Sequence, residues 1–410
     1  MLKQTLQKFK KLPTTTQSMI YLSWIYEFIQ VITSTFLGAF VFIQTNSIAA
    51  LCIYLLIFYL ACMIGFCVWG YTVSQLKMSM KWNYFKAFFI YFLSFIFLLF
   101  YHTGLQNLLI FSFLNGLALG MFWVGVHSFE MIHTHKNNRD FYSSMVSAGS
   151  QTMHILAPLI ATISFIASEY IFQIETFLSL FFILPFVFIF SIPFIGKLPD
   201  FIPPYIPVVE IKRLFSDKKL SVARKYYLAG APGHTLKEIF VPVLALVALG
   251  NITNIGIFET IMGVISIIFV IYLSHHRHEG NRISILLYAS FSYLVACSFL
   301  FFSDVHPIFY IIFSLIYLLS SPIHRVSVHV IDLESLEIIK TNKESCFYPG
   351  LLYRDFLLWI SRSLMLIIVL ITSQFTENAL LAAKVSIILF VCSLFLTWFY
   401  AMKLMESRKI

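Results

Sequence analysis

This sequence predicts an all-α, polytopic membrane protein with twelve transmembrane helices in two six-helix pseudo-repeats, on three observations. Hydrophobic residues make up 59% of the 410, charged ones only 11%, and there are 45 Phe, more apolar surface than a soluble chain of this length buries. Apolar runs long enough to cross a hydrocarbon core, about 20 helical residues each, recur from end to end. Lys and Arg gather in alternate connections between those runs.

The runs lie at 19–43, 49–73, 84–101, 107–131, 144–168, 174–196, 222–248, 254–274, 283–302, 307–331, 351–372 and 379–402. The first is span-length and has no small-residue cleavage site, so it reads as a retained span rather than a signal peptide. Tight polar turns separate several of the others: TNS at Thr45 to Ser47, HTG at His102 to Gly104, and SDVHP at Ser303 to Pro307. Such turns leave no room for soluble domains, so the spans must pack on one another. The longest polar interruption, 197–221, reads KLPDFIPPYIPVVEIKRLFSDKKLS. Its four prolines precede a short basic amphipathic piece suited to the membrane surface. It divides the chain into 1–196, a middle loop and 222–410. The halves echo one another: Tyr21-Leu22-Ser23 with Tyr227-Leu228-Ala229, TNS with NITN at 251, Phe141-Tyr142 with Phe347-Tyr348, and VGVH at 124 with VSVH at 326.

The basic residues set an expected orientation. Lys3 to Lys11, Lys77 and Lys81, Lys136 and Arg139, the segment from Lys197 to Lys225, Arg277 and Arg282, Lys340 and Lys343, and the tail all fall on one side, while the opposite turns hold only Glu169, Glu175, Asp304 and Glu377. Both termini are therefore expected in the cytoplasm. The same asymmetry accounts for the net charge of +9, so no nucleic-acid partner is expected. The Phe, Ile and Lys bias suggests an AT-rich bacterial genome and hence the cytoplasmic membrane. The six cysteines lack metal-ligand spacing and point to neither disulfides nor a metal centre. No cofactor is expected.

At this layout the chain resembles the major facilitator superfamily from end to end. The resemblance rests on the 6+6 halves, the long middle loop, and the fourth span with its loop, FLNGLALGMFWVGVHSFEMIHTHKNNRDFYSSMVSAG, whose Gly116, Gly120 and Gly125 precede a basic segment as in that family's fourth helix. The family's loop signature G-x-x-x-D-R/K-x-G-x-R/K-R/K is reduced to Gly70, Lys77 and Lys81 without the acid. The antiporter-type signature of the fifth span is reduced to Ala157-Pro158 with Ala161. The resemblance implies a central cavity lined by spans one, four, seven and ten. It also implies a secondary active transporter of a small organic solute, working by alternating access as a monomer, with a proton as the expected coupling ion. A non-transporting sensor or scaffold on the same fold, and a drug-like efflux pump, are the alternative readings. The compact catalytic cluster of a membrane enzyme and the G-x-x-x-x-G-K-S/T phosphate loop are both absent from the sequence.

Ionised groups inside the spans are the candidate site. HTLKEIF, 234–240, sets Lys237 beside Glu238 deep in the seventh run, where each ionised group costs about 2.5 to 3.5 kcal/mol on insertion scales unless compensated. Neighbours on a helix point about 100° apart, so their partners are expected on other helices. AGAPGH, 229–234, is expected to loosen the helix just before them. Candidate partners are Glu27 in span one, Arg325 in span ten, and Arg354, Asp355 and Arg362 in span eleven, with Lys384 and Glu259 nearer the outer ends. Glu27, Lys237 and Arg325 are expected to form the substrate and coupling centre, with Glu27 or Glu238 as the titrating acid. Asn115, Trp123 and His154 are added to the pathway, and Lys77, Arg139, Arg354 and Asp355 to the gates. Arg354 and Asp355 equally suit a structural role at the helix end. His127 and His154 suit either a proton relay or buried hydrogen bonding. HTH at 133 and HHRHE at 275 are expected to bind no metal. Trp24, Trp69, Trp82, Trp359 and Trp398 read as interfacial anchors, and the aromatic residues at large are too evenly spread to form a ligand cage.

Overall fold

The computed structural model describes residues 7–133, 139–173, 175–203, 205–275, 282–339, 347–375 and 379–407. Among these there are helices and turns and no strand. Twelve helices are long and apolar enough to cross a membrane. In chain order they are Thr14–Thr45, Ile48–Gln75, Met80–Phe100, Leu105–Glu130, Phe141–Phe172, Thr176–Gly196, Lys218–Leu249, Ile252–Phe269, Arg282–Leu300, Pro307–Arg325, Tyr348–Gln374 and Leu380–Glu406. Helices form because a spanning chain must satisfy its backbone internally. Local chemistry sets their ends. Pro13 precedes span one, the Ser47 hydroxyl accepts the Ala50 amide at 3.2 Å to cap span two, and Gly250 closes span seven at φ 83°.

Packing repeats between the halves. Span one packs on five and six, two on four, and three on four and six; in the same pattern seven packs on eleven and twelve, eight on ten, and nine on ten and twelve. Across the halves, two meets eleven and five meets eight, two contacts that exchange under the same repeat, and one meets seven. Small residues permit the closest approaches. A Cβ on Gly120 would lie 2.6 Å from the Phe66 nitrogen and 2.9 Å from the Gly65 carbonyl carbon, so spans two and four touch backbone to backbone. A Cβ on Gly38 would lie 3.0 Å from the Pro242 ring, which seals spans one and seven at the end opposite the termini.

The middle segment is tied to both halves. Gln75 donates to the Ile206 carbonyl at 2.8 Å and Ser79 to Asp200 at 2.9 Å, while Lys81 donates to the Gly196 carbonyl at 3.0 Å. The amphipathic piece is the helix Val208–Ser216, packed on span eleven, and Arg224 donates to the Phe215 carbonyl at 2.7 Å and to Tyr353 at 2.8 Å. The loosening expected at AGAPGH does not take the form of a break: the helix Ser221–Leu249 runs through Pro232 and Pro242. Wider π-helical turns instead interrupt span one at Thr33–Leu37 and span two at Ile64–Val68.

Candidate functional site

Three polar clusters lie inside the bundle, each built from spans of both halves. In the first, Glu27 of span one accepts the Ser150 hydroxyl at 2.7 Å and faces His154 Nε2 of span five at 3.4 Å. Lys237 of span seven sets its ammonium 4.6 Å from the Tyr317 ring centre in span ten. Tyr317 in turn packs on Tyr293 of span nine at 5.1 Å. Arg325 acts electrostatically on both tyrosines and on Glu27, and Lys237 and His154 act on Glu259 of span eight. The expected trio of Glu27, Lys237 and Arg325 is thus brought to one region, but no direct ion pair joins any two of them. The helix azimuths give each its own partners: Ser150 and His154 for Glu27, the Tyr317 ring for Lys237. Arg325 is exposed. Glu259 lies about two turns from the outer end of span eight, as its sequence position implies, and its side chain faces the bundle interior.

The second cluster forms around Glu238, which points away from its neighbour Lys237 as the helix requires. Tyr59 of span two donates its hydroxyl to the Glu238 carboxylate. The Arg362 guanidinium of span eleven lies 5.4 Å from the Tyr59 ring centre and 4.5 Å from that of Trp359, close enough for cation–π attraction. Trp359 is 4% exposed, so it is not the interfacial anchor expected from its position; it partners a buried charge. Beside Glu238 is a cavity of about 30 Å³ lined also by Gln30, Thr33, Ser34, Tyr54 and Asn115. It has room for about two waters at ~10–15 Å³ each. Asn115 is 3% exposed and its side-chain amide nitrogen has no partner, so the amide is available to whatever fills that space. The π-helical turn of span one supplies Thr33, Ser34 and Leu37 to the cavity wall.

The third cluster closes the end that carries the termini. Arg354 donates to its neighbour Asp355 at 2.9 Å, and both are buried. Arg354 also reaches His127 Nε2 of span four at 3.4 Å. Tyr348 donates to the Gly70 carbonyl at 3.0 Å and Cys67 to that of Leu352 at 3.5 Å, which joins spans two and eleven. Trp123 stacks on the His127 ring at 5.2 Å and meets Tyr26 edge-on at 5.4 Å, so it builds this wall. Lys77 is exposed at the end of span two with φ 52° and forms no ion pair with a described residue. The side chains of Arg139, His135 and the HHRHE stretch lie outside the described residues. Lys384 pairs with Asp304 at 3.0 Å near an outer end.

Tyr59, Tyr293, Tyr317 and Ser150 are the residues that sequence reading missed. For the three tyrosines the only signal was placement mid-span rather than at span ends, since a hydroxyl in hydrocarbon needs a partner.

No family model and no curated protein matches the chain. Among solved structures it is similar to the nucleoside transporter NupG, at 12% identity over 97% of this chain and 99% of that one with a TM-score of 0.64. It is also similar to a point variant of NupG, at 14% identity over 95% and 99% with a TM-score of 0.66. Such a likeness spans the whole bundle, and this chain therefore shares the twelve-helix fold of that structure.

Proposed function

We propose that this chain is a secondary transporter that carries a small polar organic solute across the membrane by alternating access, with 1–196 and 222–410 as the moving halves and a proton as the coupling ion. One observation carries the reading: Glu27 of span one contacts His154 of span five, and Lys237 of span seven lies over Tyr317 of span ten, so ionisable groups of both halves gather within the bundle. Ionised groups at membrane depth are costly to keep and mark substrate and ion pathways. The whole-chain likeness to a nucleoside transporter supports transport as the activity. Lys237 and Arg325 suit an anionic or zwitterionic group on the solute, and the Glu27 carboxylate in contact with the His154 imidazole suits proton exchange. The seal of Gly38 against Pro242 at one end and the span two to span eleven contacts at the other are the two gates in this reading. The basic loops and both termini face the cytoplasm, and the chain acts as a monomer in the cell membrane.

The test is uptake into proteoliposomes under an imposed pH gradient, with a lumenal pH indicator and a panel of nucleosides, amino acids and carboxylates. Solute-dependent proton flux is expected, with loss in Lys237→Ala and in Glu27→Gln. Folded protein that moves no proton with any solute, or flux that both variants retain in full, overturns the reading.

A further inference from the structure

We propose that His127 is a proton-binding latch: the bond between the two halves at the end carrying the termini holds while this imidazole is neutral and releases when it takes up a proton. The inference rests on reading the chain as an alternating-access machine and adds what controls one gate.

The hydrogen-bond roles force the assignment. A guanidinium has only donors, so at 3.4 Å from Arg354 Nη2 the His127 Nε2 atom must be the unprotonated acceptor. The other ring nitrogen, Nδ1, lies 3.3 Å from Glu130 Oε2, and a carboxylate only accepts, so Nδ1 carries the hydrogen. One neutral tautomer satisfies both partners. Protonation places a hydrogen on Nε2, and two donors then face each other across the gap between span four and span eleven. The same proton strengthens the contact with Glu130 by giving it a full positive partner. Uptake of one proton therefore shifts His127 from a partner in the other half to a partner in its own helix.

The surroundings favour that exchange. Glu130 also accepts the Tyr142 hydroxyl of span five at 3.0 Å and has the Tyr84 hydroxyl of span three in its field, so the acid is held in place. Arg354 keeps Asp355 at 2.9 Å, and Asp332, on the continuation of the span ten helix to Ile339, and Tyr227 of span seven act on it, so the guanidinium has other partners when His127 leaves. The ring also stacks on the Trp123 face at 5.2 Å and lies 6.2 Å from the Phe66 ring of span two, and neither of these side chains titrates. Cys67 and Tyr348 bind backbone carbonyls at the same seam. A neutral–cation bond is thus what protonation removes from the contacts that join spans two and four to span eleven.

The experiment uses the full chain in liposomes without any solute. The cysteines other than Cys67, which is kept because its thiol donates to the Leu352 carbonyl at this seam, are replaced, and spin labels are attached at Leu76→Cys and Lys403→Cys, exposed positions at the same end of spans two and twelve. Distances are recorded at about pH 8 and about pH 5.5. The expected result is a shift of population to the longer distance on acidification. His127→Gln, which keeps an acceptor for Arg354 and a donor for Glu130 but cannot take the proton, is expected to hold the pH 8 distribution throughout. Glu130→Gln is expected to move the midpoint of the shift to lower pH, since the imidazolium loses its acidic partner. No shift in the parent chain, a full shift in His127→Gln, or an unmoved or raised midpoint in Glu130→Gln each overturns the latch. Because no solute is present, a chain that carries nothing in the flux assay still passes or fails this one on its own.

Discussion

Gly120→Ala is the substitution that most directly tests the packing on which the clusters depend. The added methyl would meet the Cys62 carbonyl oxygen, the Phe66 nitrogen at 2.6 Å and the Gly65 carbonyl carbon at 2.9 Å. All three are backbone atoms, so no side chain can swing aside, and spans two and four must part. Overpacking of this kind costs ~1–3 kcal/mol, and a rigid neighbour puts it in the upper part of that range. The exchange of Gly for Ala in a helix returns up to ~1 kcal/mol, leaving a net loss of about 2 kcal/mol. Gly196→Ala is the matched control: it ends a helix of the same half, and a Cβ there meets nothing within 4 Å. Thermal unfolding of the detergent-solubilised chain is expected to show Gly120→Ala melting several degrees below the parent and Gly196→Ala at or slightly above it. Gly65→Ala opens the same seam, so the double variant is expected to cost less than the two singles together. If Gly120→Ala melts with the parent, spans two and four are not in backbone contact and the geometry of Tyr59 and the His127 wall loses its basis.

Other expected outcomes concern the charges. Arg354→Met leaves Asp355 buried without its partner and is expected to lower stability by ~3–5 kcal/mol in denaturation, while Arg354→Met with Asp355→Leu recovers most of that loss. Tyr59→Phe removes the hydroxyl that Glu238 accepts, at a cost of about 1–3 kcal/mol; a cycle with Glu238→Gln is expected to show coupling between the two, and simple additivity would place them apart. Lys384→Ala breaks a partly exposed pair with Asp304 and is expected to cost no more than ~1 kcal/mol, falling further as salt is raised.

The sequence by itself determined that this chain crosses a membrane twelve times, roughly where each crossing begins and ends, and which ionised groups lie inside. Hydropathy is read along one dimension, and lipid forces each apolar run into a helix whatever its neighbours are, so Lys237, Glu238, Arg325 and Arg362 were legible as unusual before any packing was known. That Lys237 and Glu238 must find separate partners also followed from helix geometry alone. Which partners they found did not. Lys237 lies over Tyr317, Glu238 binds Tyr59, Arg362 rests on Trp359, and Glu259 faces inward because the rotation and register of every helix are set by contacts such as Gly120 on span two and Gly38 on Pro242. Those contacts join residues remote in sequence, and an aromatic residue that holds a charge looks in the sequence like any other aromatic residue in an apolar run. The tertiary structure alone decided the pairing, because a few tens of degrees of helix rotation carry a side chain from lipid to the centre of the bundle.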